Sequence, residues 1–440
     1  MSTRVNPIRH VGAHARGRAA KLSDVEPDPD TSWRRWIRPQ IGILVLAALA
    51  PYDGLLLIVP HGGGAHGWQE GLTLLVLAAT LFTTRQSRVR ARLGYPPWII
   101  PLAGLLVLGL IWSIFGNIVR DLTGYRIDFF YVLLALAVWR APLNERERDW
   151  LVTILMVNGI VTAVVGIAQQ GIGVTGLHEL GYAYNSVIRT SHGHLRSFST
   201  FSQPFAFAFY LMVVVLVGLP VALEAPRRLR NRVFLISLPL LGVGLLLAIV
   251  RGALLGLAVG LLYIGVRRYR RLLWLIPVAV LGAAALLALP GNLAGPVLSS
   301  SSLHQRINSW DANLNHVLRR PLGTGIGSSG AAAEVSDELT GTHSRTFQPD
   351  NYYFKEIYEL GIPGLLLFIW LLGAAFWDAD RTAVRIRGPD SGFALGVAAA
   401  VLAAAAASTV ATLFEIYPLD LMFWLLIAVV AICPTSPTTA

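Results

Sequence analysis

VFLISLPLLGVGLLLAIVRGALLGLAVGLLYIGV, residues 233 to 266, is an apolar run of 34 residues interrupted by Arg251-Gly252. A bilayer core about 30 Å thick is crossed by roughly 20 helical residues. The run is therefore too long for one crossing and reads as two, 233–250 and 252–266, folded back at a tight hairpin. Both of its ends are basic, with Arg227, Arg228, Arg230 and Arg232 before it and Arg267, Arg268, Arg270 and Arg271 after it. Because Lys and Arg collect on the cytoplasmic side of membrane helices, both ends belong on that side and the turn on the other.

The rest of the chain follows the same pattern. Over 440 residues, 54% are hydrophobic and only 14% charged, and the mean hydropathy is +0.58. An ordinary soluble domain carries nearer a quarter charged residues, so that class is excluded. The expected fold is an all-α polytopic membrane protein of about 12 spans, near 39–59, 67–84, 97–116, 127–141, 149–171, 202–223, 233–250, 252–266, 272–290, 354–376, 391–413 and 417–433. Residues 1–38, with eight Lys/Arg and the run DVEPDPDTS, read as a disordered cytoplasmic tail without a signal peptide. Residues 39–440 then form a single transmembrane domain with outer segments at 172–201 and 291–352. Alternate short loops and the tail hold 26 of the 36 Lys+Arg, which puts both termini in the cytoplasm. The net charge of +11 is thereby explained by topology, not by nucleic-acid binding. Cys433 is a lone cysteine, so neither an intrachain disulfide nor a thiolate metal cluster can form.

Ten cations fall on the other face: Arg120, Arg126, Arg189, Arg196, Arg251, Arg306, Arg319, Arg320, Arg345 and Lys355. Singly, each could be a solvated or snorkelling side chain. Together they suggest a cationic surface for an anionic ligand. Arg196 precedes a span that starts near Gln203-Pro204 and lies among Ser197, Ser199, Thr200, Ser202 and Gln203. Arg251 sits between two apolar helices, where a charge is a functional candidate by default. Leu303, Ile307, Trp310, Leu314 and Val317 recur at helical spacing, predicting an amphipathic helix on which Arg306 and Trp310 share a face. The run GTGIG at 323–327 reads as a turn, or as backbone amides offered to a phosphate. The pair His192 and His194 lacks the acidic or cysteine partners of a metal site.

PDNYYFKEIYELGIPG, residues 349 to 364, places polar groups where a span begins. Asp350 suits an N-cap, Lys355 and Glu359 form a pair one turn apart, and Asn351, Lys355 and Tyr358 share a face. Pro363-Gly364 should kink the helix. Capping and a surface pair leave Asn351, Tyr352, Tyr353 and Glu356 unexplained.

Taken together, RSFSTFSQPFAFA (196–208), VRGALLGLAVGL (250–261), HQRINSWDANLNHVLRRPLGTGIG (304–327) and DNYYFKEIYELGIPG (350–364) resemble the motifs of the O-antigen ligase and polymerase superfamily of membrane glycosyltransferases. Asn351, nine residues, Gly361 and Gly364 fit the ligase spacing, whereas Asp350 stands in place of the ligase histidine, as in exopolysaccharide polymerases. The departures include Ser199 for a glycine, Phe205 for an asparagine and Val250 for a serine.

The resemblance implies a GT-C-like helical fold and a glycan on undecaprenyl diphosphate as donor. A glycan or lipid acceptor would attack through a hydroxyl, with membrane lipids around the site and neither cofactor nor metal required. Arg196 and Arg251 would stabilise the diphosphate leaving group and Asp350 would take the acceptor proton. Arg306, Trp310, Asn351, Tyr353, Lys355 and Glu356 would bind substrate. Polymerisation of surface polysaccharide repeat units on the outer face of the inner membrane is the first expectation, and ligation to lipid A core or another acceptor the second. A solute or bicarbonate transporter is the rival from another class. It would place polar residues near the midplane of broken helices, and Asp53 within the first span leans that way.

Overall fold

The computed structural model describes residues 38–58, 67–82, 95–114, 116–191, 193–274, 319–341 and 347–433. Among them the helices are α1 (Pro39–Leu49), α2 (Trp68–Leu81), α3 (Ile99–Ser113), α4 (Ile118–Phe129), α5 (Val132–Arg140), α6 (Glu145–Glu179) and α7 (Pro204–Glu224). They continue with α8 (Leu229–Leu247), α9 (Arg251–Arg267), α10 (Gly330–Thr340), α11 (Tyr352–Arg385), α12 (Pro389–Ala407) and α13 (Leu419–Ala431). A 3-10 segment, Ala50–Ile58, extends α1, and a small hairpin pairs β1 (Arg189–Ser191) with β2 (His194–Arg196).

Among the described residues, six units are long and apolar enough to cross a membrane: Pro39–Ile58, α6, α7, α8, α11 and α12. The pair α4 and α5, bent by 51°, makes a seventh if counted as one span. The expected count of twelve is higher because it treats shorter apolar runs as crossings. α2, with 14 residues, rises only about 21 Å, short of a bilayer core. The expected span 272–290 and the amphipathic helix with Arg306 and Trp310 lie almost wholly outside the described residues.

α7 is the axis of the bundle. Nearly every side chain from Pro204 to Ala222 is buried, as a helix apolar on all sides must be. It packs on α12, α8, α9 and α6. The alanine-rich sequence of α12 lets backbones approach closely: a Cβ added at Gly396 would meet Val217 Cα at 2.6 Å. α11 leans on the other side of α12, against α3 and α13. Ile100, Leu110, Ile236, Leu366 and Trp370 point outward, an apolar belt suited to lipid.

The hairpin expected around Arg251 forms as read. α8 ends at Leu247, Ile249 turns the chain with φ of 52°, and α9 begins at Arg251. Two helices differ from expectation. α6 starts at a capping box made by Asn144 and Glu147 and runs on past 171 to Glu179, broken at Gly173. α4 occupies residues read as a loop before a span at 127–141, because Asn117 caps it through Val119 N at 2.9 Å.

Candidate functional site

The loop after β2 is fastened to α6 and α8 and in doing so presents Arg196. Ser197 N donates to Leu247 O at 3.0 Å and Ser197 Oγ to Gly166 O at 2.7 Å. Gln169 Oε1 accepts from the amides of Phe198 and Ser199, while its Nε2 donates to Ser199 O at 2.8 Å. Ser199 Oγ and Thr200 Oγ1 donate to the carbonyls of Thr162 and Pro51. The hydroxyls that the sequence crowds beside Arg196 therefore hold the loop down and face no ligand; Ser197, Ser199 and Thr200 are buried.

Arg196 itself is half-buried. Its Nε donates to Ala248 O at 3.3 Å, and its guanidinium lies 4.9 Å from the centre of the Phe205 ring. Arg189 is its cross-strand partner in the hairpin. Burial lowers the Arg196 guanidinium to about 10, with the charges of Arg189 and Arg251 acting in the same direction. Three arginines are thus gathered at one end of the bundle. Arg196 has no carboxylate partner among the described residues.

The end of α12 joins this group to the start of α11. A Cβ at Gly252 would lie 3.1 Å from Val410, and Tyr352 N donates to Ser408 O at 2.9 Å. Tyr353 Oη donates to Ala405 O at 2.8 Å. Residues 405–410 therefore touch α9 beside Arg251 on one side and α11 beside Asp350 and Asn351 on the other.

Asn351, and not the expected Asp350, caps α11; its Oδ1 accepts from Tyr353 N at 2.9 Å and Phe354 N at 3.4 Å. Asp350 is exposed one residue earlier, and among the described residues nothing hydrogen-bonds its carboxylate.

Lys355 and Glu359 are the expected pair at 3.3 Å, but the pair is buried, not on the surface. Lys355 Nζ lies 2.6 Å from Asp128 of α4 and 3.4 Å from Glu415, which follows α12. With its ammonium enclosed by three carboxylates, Lys355 holds segments together and cannot contact substrate directly. Burial holds the Glu415 carboxyl above the usual range in spite of Lys355. Glu356 is buried on the same face, and its Oε2 has no hydrogen-bond partner. Asp128 and Glu415 are the residues that reading the sequence missed. Asp128 carried a usable signal, an acid in an otherwise apolar run, whereas Glu415 carried none without knowledge of which segments meet.

The glycine segment 321–330 docks on a break in α11. Gly361 has φ of 70°, and the break comes two residues before Pro363-Gly364. Pro363 has no N–H for the Glu359 carbonyl, which accepts instead from Gly325 N at 2.9 Å. Thr324 N donates to Tyr358 O and Ile362 N to Pro321 O, each at 2.9 Å. The Glu359 carboxylate accepts from Gly327 N and Ser329 N, both at 3.0 Å. The amides of the glycine run are therefore engaged by α11 and are not offered to a phosphate.

Of the expected site residues, the structure brings Arg196 and Arg251 together and places Asp350, Asn351, Tyr353, Lys355 and Glu356 at the same end of the bundle. Arg306, Trp310 and His192 are outside the described residues. Comparison with curated proteins gives no match. The family model described as O-antigen ligase matches residues 233–369, from the hairpin around Arg251 through the glycine segment and the break in α11, so this stretch of a multi-pass membrane protein is similar to the O-antigen ligase family.

Proposed function

We propose that the chain is an inner-membrane glycosyltransferase, with about twelve spans and both termini cytoplasmic, that polymerises surface polysaccharide repeat units on the outer face. The observation that carries this reading is the gathering of Arg189, Arg196 and Arg251 at the end of the bundle where Asp350 is exposed. The donor is a glycan on undecaprenyl diphosphate. Its diphosphate lies against Arg196 and Arg251, and Arg306 and Trp310 add contacts from the outer segment. An acceptor hydroxyl attacks the anomeric carbon of the donor sugar, and the bond from that carbon to the diphosphate oxygen breaks. The hydroxyl proton passes to the Asp350 carboxylate, and undecaprenyl diphosphate leaves with the bonding electrons. The arginines act on charge that grows as the bond breaks, so they favour the transition state over the bound donor. The acceptor hydroxyl becomes acidic as the new bond forms, which lets a carboxylate take its proton. Asn351 and Tyr353 fix the start of α11 beneath it, and Glu356 is buried on the same helix.

The ligase reading differs in acceptor, not in site. Asp53, the residue that leans toward the transporter reading, lies in the 3-10 extension of α1 and accepts from Trp68 Nε1 at 3.2 Å. Deleting the gene and analysing surface polysaccharide separates the outcomes. Loss of a polymerase leaves single repeats on the lipid carrier, loss of a ligase leaves full-length chains unattached, and unchanged polysaccharide rejects both. Arg251→Ala, expressed in the deleted strain at wild-type level in the membrane, should fail to restore polymer.

A further inference from the structure

At the end of the bundle opposite Asp350, the last turns of α9 and α11 and the first two turns of α12 line an open cavity of about 290 Å³. Arg267, Arg268, Arg387 and Ser391 line one part of it, and Ala383, Val384, Ile386 and Leu395 line the rest. Two of the arginines are held in place from outside the cavity. Arg267 pairs with Asp380 at 2.7 Å and Arg268 with Glu224 at 3.0 Å, while Arg268 also donates to Ser391 Oγ at 2.7 Å. Arg387 is exposed and has no carboxylate partner among the described residues. The cavity thus offers fixed guanidinium donors beside one unneutralised charge and an aliphatic wall.

We infer that this cavity binds the phosphate headgroup of an anionic membrane lipid. A guanidinium fork matches phosphate oxygens in geometry and charge. The aliphatic wall suits the glycerol and first methylenes of a lipid, which a free phosphate lacks. The position agrees as well, because the cavity lies where α11 and α12 join among the arginine-rich loops, which by their charge belong beside the lipid headgroups. Arg381 lies over the Trp377 ring at 4.4 Å one to two turns away, an interfacial pairing that fixes the level of this end of α11.

The test uses the full chain purified in detergent and incubated with phosphatidylglycerol or phosphatidylcholine, with retained lipid read by native mass spectrometry. Phosphatidylglycerol should be retained over phosphatidylcholine, and Arg387→Gln should reduce retention about fivefold, the equivalent of roughly 1 kcal/mol per interfacial arginine. Arg227→Gln, on another basic loop, should leave it unchanged, and both variants should melt at the wild-type temperature. Equal loss in the two variants, or none in either, overturns the site in favour of general surface attraction. Displacement of the lipid by equimolar inorganic phosphate or glycerol phosphate overturns the lipid assignment, since the aliphatic wall would then contribute nothing.

Discussion

Lys355 is 1% exposed, with the carboxylates of Asp128, Glu359 and Glu415 around its ammonium. A buried ion group is weak evidence for net stability, but removing one member leaves charges that nothing neutralises. Lys355→Met should therefore destabilise the protein by about 3–5 kcal/mol, seen as a lower melting temperature in detergent. Adding Asp128→Asn should restore part of the loss, because one of the stranded carboxylates is gone. A single variant that melts like wild type would remove the cluster from the account of stability. Asp350 makes the opposite case. Since Asn351 is the cap, Asp350→Ala takes away a carboxylate and leaves α11 intact. The expected result is full-length protein at normal abundance with polymer formation abolished. Asn351→Ala should instead lower stability by about 1 kcal/mol, the usual worth of a cap. Normal polymer from Asp350→Ala would remove Asp350 from the proton-accepting role.

At the scale of elements, the break in α11 decides whether the glycine segment has a place to dock. A Cβ on Gly361 would stand 2.4 Å from Leu322 C, and φ of 70° with ψ of −169° is a region all but closed to L side chains, costing about 1–3 kcal/mol. Gly323 meets the break from the other side, where its Cβ would lie 2.4 Å from Glu359 O. Gly361→Ala should undock residues 321–330, and hydrogen exchange at the Thr324 and Gly325 amides should accelerate to the rate of unprotected backbone. Pro363→Ala should have a smaller effect, restoring an N–H that competes with Gly325 for the Glu359 carbonyl. Unaltered exchange in Gly361→Ala would show that docking does not depend on the break. These details also show where reading the chain stops. The hairpin at Arg251 was legible because apolarity and flanking charge are local properties. A kink was legible from Pro363, but its position was not, because Pro321 and Leu322 reach it from about forty residues away. Asp350 and Asn351 are both capping residues, and the register is set by Ser408 O holding Tyr352 N, a distant contact. The hydroxyls after Arg196 looked like ligand groups for the same reason: their partners on α6 lie some thirty residues away in sequence. In the candidate site, residue types and one end of the bundle could be read, but which charges touch could not.

Across the whole molecule both ends carry ion pairs, and at one of them three arginines also gather. At one end Arg148 pairs with Asp390, Arg230 with Asp149, Arg267 with Asp380 and Arg268 with Glu224. At the other, Arg120 pairs with Asp121, Arg126 with Glu70 and Lys355 with three carboxylates, while Arg189, Arg196 and Arg251 lie close enough for their charges to act on one another. An end where like charges gather suits an anionic substrate. The assignment of sides can be tested directly, because the native Cys433 is buried and should give little background. Leu229 is 77% exposed at the first of these ends and Leu322 is 64% exposed beside the glycine segment at the other. In intact cells a membrane-impermeant maleimide should label Leu322→Cys and spare Leu229→Cys until the inner membrane is opened. The reverse pattern would put Arg196, Arg251 and Asp350 in the cytoplasm, where a transfer reaction on the outer face could not use them.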